Sequence, residues 1–165
     1  MSTYTKVADT PNVPAIYALY GRTAKTYYVA YVGLGSKLKQ RLTQHLIRRD
    51  SSVTTGVAAA CLNPDVVGKV CWWESDYFSD AGALKAAEII AFDLLNPTLR
   101  SRGGVETVTN RYLDDEQFNS EMNKLISGSP SGTLILRNLE DALERLDHHE
   151  ELISRLESRI AQLEE

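Results

Sequence analysis

Two tyrosines, an arginine and a histidine follow one another in the first third of the chain, at places where their side chains can meet. Tyr17 ends the tripeptide AIY, and Tyr31 opens the tripeptide YVG. Arg41 and His45 come next, four residues apart, which places both side chains on one face of a helix. Phenols and an imidazole can pass protons, and a guanidinium is a permanent cation with five donors. We expect these four groups to converge on one site.

The elements that must position these groups are two strands and a helix, over about 14–49. β-Branched and aromatic residues favour strands on both sides of the polar, glycine-bearing link 21–26, which predicts an antiparallel hairpin. Gly33 and Gly35 are expected to end the second strand, and Ser36 is expected to cap the helix that follows. The apolar residues of that helix recur at helical spacing, namely Leu38, Leu42, Leu46 and Ile47.

A later helix places an acidic side chain among apolar neighbours. Ser79 or Asp80 is expected to cap this helix, which runs to about Leu95 and is stopped by Pro97. Glu88 lies inside it, between alanines and isoleucines. A carboxylate in apolar surroundings needs a partner. Mg²⁺ is a suitable one, because it binds one carboxylate together with waters and substrate oxygens.

The order of these residues resembles the GIY-YIG nuclease family over about 13–100. The two tripeptides that give the family its name correspond to AIY and YVG, with Ala15 where the family usually has glycine. The family continues with an arginine and often a histidine on the first helix, then a glutamate in a later helix and an asparagine after it. The matching residues here are Arg41, His45, Glu88 and Asn96.

This resemblance implies a metal-dependent endonuclease that hydrolyses DNA phosphodiester bonds, with Mg²⁺ (or Mn²⁺) held by Glu88. Arg41 would stabilise the charge of the transition state, and Asn96 would support the site by hydrogen bonding. Water activation stays open among Tyr17, Tyr31 and His45, because a tyrosine with a pKa near 10 serves as a base only beside a cation or a histidine.

The charge distribution fits a phosphate backbone better than the net charge of −4 suggests. Between Arg22 and Arg49 there are seven basic residues and no acidic one. Clustered cations favour nucleic acid, because neutralised phosphates release their counterions. A basic loop, 100–104, follows the second helix and could select the target. The candidate DNA-binding residues are Lys37, Lys39, Arg48, Arg49, Arg100 and Arg102.

The C-terminal part has a different organisation. After a helical extension at 101–127, with one helix expected from Asp114 to Ile126, the composition predicts a linker at 128–132. From 133 to 165, Leu139, Leu146, Ile153 and Ile160 fall seven residues apart, and Ala142, His149, Leu156 and Leu163 fall three after each. This heptad pattern predicts a coiled-coil helix through which the chain associates with itself, as a dimer.

The sequence as a whole predicts an α/β (α+β) fold with a short three-stranded central sheet flanked by helices. The third strand is expected at 66–74, and the first ten residues are expected to be a flexible lead-in. No signal peptide or membrane-spanning stretch is evident, so we expect a cytoplasmic or nucleoid-associated protein without a membrane partner. The alternatives are a catalytically inactive DNA-binding module and a coiled-coil scaffold that binds a protein partner.

Overall fold

A single mixed sheet organises the part of the chain that the structure describes. The structure is a computed structural model that describes residues 2–23, 26–55, 62–99, 107–137 and 139–163. Within these residues the sheet has five strands, in the spatial order β1-β5-β4-β2-β3. The strands are β1 (Ser2–Tyr4), β2 (Ala15–Thr23), β3 (Thr26–Gly35), β4 (Val67–Trp73) and β5 (Gly132–Ile135).

The predicted antiparallel hairpin is confirmed, and it is longer than expected. The predicted link contributes to the strands, because Gly21 pairs with Tyr28 and Thr23 with Thr26. The second strand does not break at Gly33, and it ends at Gly35. Between Leu19 and Tyr20 the register shifts, which leaves one extra residue in β3. Such a bulge increases the local twist and re-aims the neighbouring side chains.

Helices cover both faces of the sheet, which is why its inner strands are apolar on both sides. One face packs against a short helix that continues into a π-helical segment, Thr43–Arg48, and the other face packs against two longer helices. The mixed α/β class is therefore confirmed. The helices are α1 (Leu38–Leu42), α2 (Ser52–Thr55), α3 (Ala81–Leu95), α4 (Thr107–Leu113), α5 (Glu116–Ser127) and α6 (Leu139–Leu163).

Local signals located α3 well. The Asp80 carboxylate accepts hydrogen bonds from the backbone N–H groups of Gly82 and Ala83, as an N-cap residue does. Asn96 ends the helix in the left-handed region, at φ 45°. The apolar prediction for the first helix was wrong at Ile47, which is 64% exposed. The π-helical segment changes the hydrogen-bonding pattern to i→i+5, so the regular helical spacing no longer holds there.

The prediction of three strands was wrong, because two short strands lie outside the region 13–100. The expected flexible lead-in contains β1, and the expected linker and coiled-coil start contain β5. β1 pairs in parallel with β5, and β5 pairs antiparallel with β4. The sheet therefore needs residues from both ends of the described chain. The helix that was expected from Asp114 is α5, which begins after Asp115, and the Asp115 side chain caps it. A further helix, α4, precedes α5.

The predicted C-terminal helix is present as α6, beginning at Leu139 rather than at 133. No helix among the described residues has both the length and the apolar character needed to cross a membrane. The sequence also predicts a short helix over 57–62, stopped by Asn63 and Pro64, and almost all of this range lies outside the described residues.

The close contact between β5 and β4 leads to a stability prediction. A Cβ atom added at Gly132 would fall inside the ring of Trp72, which is 1% exposed and cannot move aside. Gly132→Ala should therefore lower the free energy of unfolding by about 1–3 kcal/mol, as overpacking of a core does. Urea denaturation measures this change, with the exposed Ser129→Ala as control. Equal midpoints for wild type and Gly132→Ala would contradict the packing of β5 against Trp72.

Candidate active site

The first pair of the site is a buried phenol and a buried imidazole. Tyr17 and His45 are both 0% exposed, and the Tyr17 hydroxyl lies 2.6 Å from His45 Nε2. Side chains alternate along β2, so Ile16 and Ala18 face the α3 side while Tyr17 faces α1 and the π-helical segment. This alternation places the Tyr17 hydroxyl inside an apolar layer, where it requires the hydrogen bond to His45.

The second tyrosine lies beside this pair because a glycine leaves room for it. Tyr17 pairs with Gly33 across the hairpin, and Tyr31 lies two residues earlier on the same face of β3. A Cβ at Gly33 would come within 2.7 Å of both the Tyr17 oxygen and a Tyr31 ring carbon. The Tyr17 and Tyr31 ring centroids are 6.2 Å apart, and each is 5.7 Å from the His45 ring. Only glycine permits this three-ring packing.

Ala15 stands where the resembled family usually has glycine, and the structure accommodates its methyl group. Ala15 is fully buried and pairs with Gly35. Among the described residues other than glycine, positive φ occurs at Arg49 and Asn96, so β2 needs no glycine conformation at position 15.

Arg41 extends from α1 between the tyrosines and the solvent. Its guanidinium donates a hydrogen bond of 3.1 Å to the Gln44 amide oxygen, which fixes its direction. It lies beside the hydroxyls of Tyr17 and Tyr31, and it acts on both through its charge and through hydrogen bonding. The position also suits a negatively charged ligand, because a guanidinium binds oxyanions with a fixed geometry.

These groups border a cleft of about 350 Å³ between the two helical layers. Tyr31 comes from β3, Arg41 from α1 and Glu88 from α3. The structure thus brings together three residues from three separate elements, at the outer edge of β3, an edge strand of the described sheet. The described residues that line this cleft are Tyr31, Leu34, Gly35, Ser36, Lys37, Gln40, Arg41, Gln44 and Glu88.

Glu88 faces the hairpin. Its carboxylate accepts a hydrogen bond from the backbone N–H of Leu34 on β3. Burial raises the pKa of Glu88, while the Leu34 N–H and the charges of Lys85 and Arg41 act in the opposite direction. The carboxylate is therefore held in an environment that favours a proton, or another cation, over water.

Burial also controls the pKa values of the phenols. Desolvation raises the pKa of Tyr17 well above its ordinary value, and Tyr31 acts in the same direction while Arg41 opposes it. The pKa of Tyr31 is raised by burial and by the charge of Glu88, and it is lowered by Arg41 and by the hydrogen bond between the Tyr31 and Tyr17 hydroxyls. Both phenols therefore keep their protons at neutral pH in the absence of a ligand.

The imidazole is neutral for the same reason. Burial, with help from the charge of Arg41, lowers the pKa of His45 to about 4. Its second nitrogen, Nδ1, lies 2.7 Å from the hydroxyl of Ser51, a residue only 5% exposed at the start of α2. Both ring nitrogens are therefore hydrogen-bonded, and the ring has one fixed orientation.

The donor set of the cleft suits a hard divalent cation. Glu88 is the acidic residue among the described lining, and Ser36, Gln40 and Gln44 add neutral oxygens. Within the described residues no three His, Cys, Asp or Glu side chains cluster together. Mg²⁺ is commonly held by one or two carboxylates and completes its shell with waters and phosphate oxygens, so a single carboxylate beside an open cleft fits it.

One predicted catalytic residue lies away from the cleft. Asn96 caps the C-terminal end of α3, with its backbone N–H donating to the Phe92 carbonyl, and it is not part of the described lining. Asn96 follows Glu88 by eight positions, which corresponds to about 12 Å along the helix axis. A supporting role of Asn96 in this site stays a prediction.

The predicted DNA-binding residues divide into three groups. Lys37 lines the cleft, whereas Lys39 is half-buried outside the described lining. Arg48 and Arg49 form ion pairs with Asp50 and Asp65, so their charges are partly neutralised. Arg100, Arg102 and the loop 100–104 lie outside the described residues.

Sequence reasoning missed Ser51 and Gln44. Ser51 was one of several residues in a polar connection, and no local pattern distinguished it. Gln44 had a usable signal, because it lies three residues after Arg41 and side chains at this spacing meet on a helix.

Neither a protein-family model, nor a curated protein, nor a solved structure matches this chain. The function of this chain is therefore inferred from the geometry of the site and from the motif residues.

The neutral state of His45 leads to a pH prediction. Between pH 6.5 and pH 4 the unfolded chain binds a proton at this histidine and the folded chain does not, so acidification should destabilise the fold. A change in pKa from 6.5 to about 4 corresponds to about 3 kcal/mol. His45→Gln should lose this part of the pH dependence, as measured by urea denaturation at both pH values. His148→Gln, at an exposed position on α6, is the control, and identical pH dependence of wild type and His45→Gln would contradict the assignment.

Proposed function

We propose that this chain is a metal-dependent endonuclease that hydrolyses DNA phosphodiester bonds, and that its active site is of the GIY-YIG type. The supporting observation is that Tyr31, Arg41 and Glu88 line one cleft, although they come from three separate elements. Behind them lie two further motif residues, Tyr17 and His45. A permanent cation, an acid suited to a metal and a proton-transferring group are the three requirements of this hydrolysis.

Arg41 is the residue that would hold the scissile phosphate. Its guanidinium is fixed by Gln44 and opens into the cleft, and Lys37 adds a second cation on the same wall. Fixed donors aimed at the oxygens on which charge develops stabilise the transition state more than the ground state. The DNA strand would therefore run along the outer edge of β3 at residues 31–35, because the edge at residues 29 and 30 is hydrogen-bonded to Thr98 and Leu99.

Glu88 is the residue that would hold Mg²⁺ or Mn²⁺. When bound, the ion would offset charge on the scissile phosphate and on the leaving oxygen. The backbone N–H of Leu34 orients the carboxylate and leaves it directed at the cleft. Burial of this carboxylate also favours cation binding, because the charge of Glu88 is poorly solvated without a partner.

Tyr31 is the residue best placed to contact the attacking water. Of the three candidates for water activation, it belongs to the cleft lining, whereas Tyr17 and His45 are fully buried behind it. The raised pKa of Tyr31 means that it starts as a neutral phenol. It can accept a proton from water only if its own proton moves on, so the groups behind it take part in the proposed reaction.

The nuclease proposal predicts a sharp loss of cleavage in two variants. Glu88→Gln and Arg41→Ala should each reduce Mg²⁺-dependent nicking of plasmid DNA by at least about 100-fold, the cost of removing one preorganised charge-stabilising group. DNA binding, measured by fluorescence anisotropy, should largely survive in both variants. Glu116→Gln, which removes an exposed carboxylate from α5, is the matched control and should cleave normally.

A stability measurement separates a functional role of Glu88 from a structural one. Because burial raises its pKa, the charge of Glu88 opposes folding as pH rises from 4.5 through the raised value. Glu88→Gln should therefore melt at a higher temperature than wild type near neutral pH without metal.

Failure of wild type to nick DNA with any divalent cation would favour the inactive DNA-binding module.

Self-association through α6 is part of the proposal. Its described apolar side chains are largely exposed, and Leu146, Ile153, Leu156 and Ile160 are each 55–57% exposed. They lie at the a and d positions of the heptads, and isoleucine at a with leucine at d favours two strands. A second copy of the same helix is the complementary surface for this stripe. A dimer would offer two clefts to a two-fold DNA target, as a restriction-type enzyme requires.

A single charged residue in the stripe tests the dimer. Ile153→Glu should shift the full-length chain from dimer to monomer in sedimentation analysis, because the seam cannot solvate a carboxylate. Ser154→Glu adds the same charge one residue away, off the stripe, and should leave the dimer intact. An unchanged sedimentation coefficient for Ile153→Glu would contradict association through α6. If the protein's cellular role survives Glu88→Gln and is lost in Ile153→Glu, the scaffold alternative is favoured.

A further inference from the structure

A row of hydrogen-bonded side chains leads from the cleft into the interior. The Tyr31 hydroxyl at the cleft is hydrogen-bonded to that of Tyr17, and Tyr17 contacts His45 Nε2 at 2.6 Å. His45 Nδ1 then lies 2.7 Å from Ser51 Oγ, and Ser51 Oγ lies 3.0 Å from Thr54 Oγ1. Finally, the Thr54 hydroxyl is 3.0 Å from the Ser51 carbonyl oxygen.

The inner end of this row determines the direction of its hydrogen bonds. The row continues from the His45 ring through three contacts: Nδ1 with Ser51 Oγ, Ser51 Oγ with Thr54 Oγ1, and Thr54 Oγ1 with the Ser51 carbonyl. This carbonyl also accepts from the backbone N–H groups of Thr54 and Thr55 and from the Thr55 hydroxyl. The carbonyl can only accept, so the Thr54 hydroxyl donates to it. Ser51 then donates to Thr54, and His45 Nδ1 must donate to Ser51. Each contact receives one proton in this arrangement.

If the hydrogen bonds run in the opposite direction, from Ser51 to His45, one contact of the row has no proton. If Nδ1 accepted, the Ser51 hydroxyl would have to donate to it, and the Thr54 hydroxyl alone would serve the two remaining contacts. A buried polar contact without a proton is repulsive and costs free energy, which disfavours this arrangement. The fully satisfied arrangement therefore has a proton on Nδ1 and a lone pair on Nε2.

We propose that Ser51 is a positioning residue that holds His45 as the Nδ1–H tautomer, so that Nε2 can receive a proton passed inward from the cleft through Tyr31 and Tyr17. The catalytic part of this inference rests on the proposed nuclease function, whereas the tautomer does not. Ser51 touches neither substrate nor metal in this arrangement, and it acts only through His45.

The proton movement balances without a further reactant. As the water oxygen bonds to phosphorus, the proton of the water moves to the Tyr31 oxygen, and the Tyr31 proton moves to Tyr17. The Tyr17 proton moves to His45 Nε2, which becomes an imidazolium that still donates through Nδ1 to Ser51. Tyr17 is then neutral again, and each phenol oxygen has lost one proton and gained one. As the bond from phosphorus to the leaving oxygen breaks, His45 Nε2 gives its proton back along Tyr17 and Tyr31, and the leaving oxygen takes up a proton at the cleft.

Nitrogen NMR of the full-length chain tests the tautomer directly. In protein labelled with ¹⁵N in its histidines, the protonated and unprotonated ring nitrogens have well-separated chemical shifts. The signals of His45 are identified as those missing from His45→Gln. We expect Nδ1 to be protonated and Nε2 unprotonated at neutral pH. Protonation at Nε2 would overturn the proposal, whatever the nuclease assay shows.

Ser51→Ala tests the positioning role. Without an acceptor at Nδ1, His45 should shift to the Nε2–H tautomer or to a mixture of the two. Cleavage should fall by about 10- to 100-fold, the cost found when a histidine loses its orienting partner in metal sites. Thr55→Val is the matched control, because the Thr55 hydroxyl donates to the same Ser51 carbonyl but lies outside the row.

The results distinguish a Ser51 that positions His45 from a Ser51 that only supports the fold. An Nδ1–H tautomer that persists in Ser51→Ala would overturn the proposal, and a shift seen in Ser51→Ala but not in Thr55→Val would support it. If wild type shows the Nδ1–H tautomer and does not cleave DNA, the positioning role stands and the nuclease function fails. If Ser51→Ala does not fold, the wild-type spectrum still decides the tautomer.

Discussion

The cross-strand pair of Tyr17 and Gly33 is the constraint on which the rest of the structure depends. The missing side chain at Gly33 leaves the space that the Tyr17 oxygen and the Tyr31 ring occupy. Without that space the two phenols could not lie side by side on one face of the hairpin, and His45 could not pack against both. Gly33 therefore determines how closely the two phenols can pack against the hairpin, and the helices pack around these two side chains.

Because Tyr17 and His45 are buried, each of their hydrogen-bond donors and acceptors requires a partner. Tyr17 and His45 lie in an apolar layer with Leu38, Leu42 and Leu46, where an unpaired hydroxyl or ring nitrogen would be costly. The turn that begins at Ser51 supplies the last partner, and this accounts for a buried serine directly after an exposed segment. Only Tyr31, Arg41 and Glu88 of the proposed catalytic residues meet solvent in the cleft, which separates the groups that bind from those that relay protons.

Features encoded over a few neighbouring residues could be predicted from the sequence, and features that depend on distant pairing could not. The hairpin and the Asp80 cap of α3 have strong local signals. β1 and β5 have three and four residues, and their pairing joins residues about 130 positions apart, so no periodic pattern revealed them. Asn96 was assigned from motif order, and its confirmed feature is the helix end that it forms, with its backbone in the left-handed region. Ser51 becomes recognisable only once the π-helical segment has turned His45 toward it.

The position of β5 has a consequence for the synthesis of the protein on the ribosome. β5 lies between β1 and β4 in the sheet, yet it is the last strand of the described chain to be translated. β1 has no other strand partner in the described sheet, so the first few residues must wait until about residue 135 has left the exit tunnel. Pairing over such a separation is slow, because the entropy of closing the loop is lost before the contacts form. The nascent hairpin and α3 can assemble early, and the described sheet is complete only after β5 has emerged.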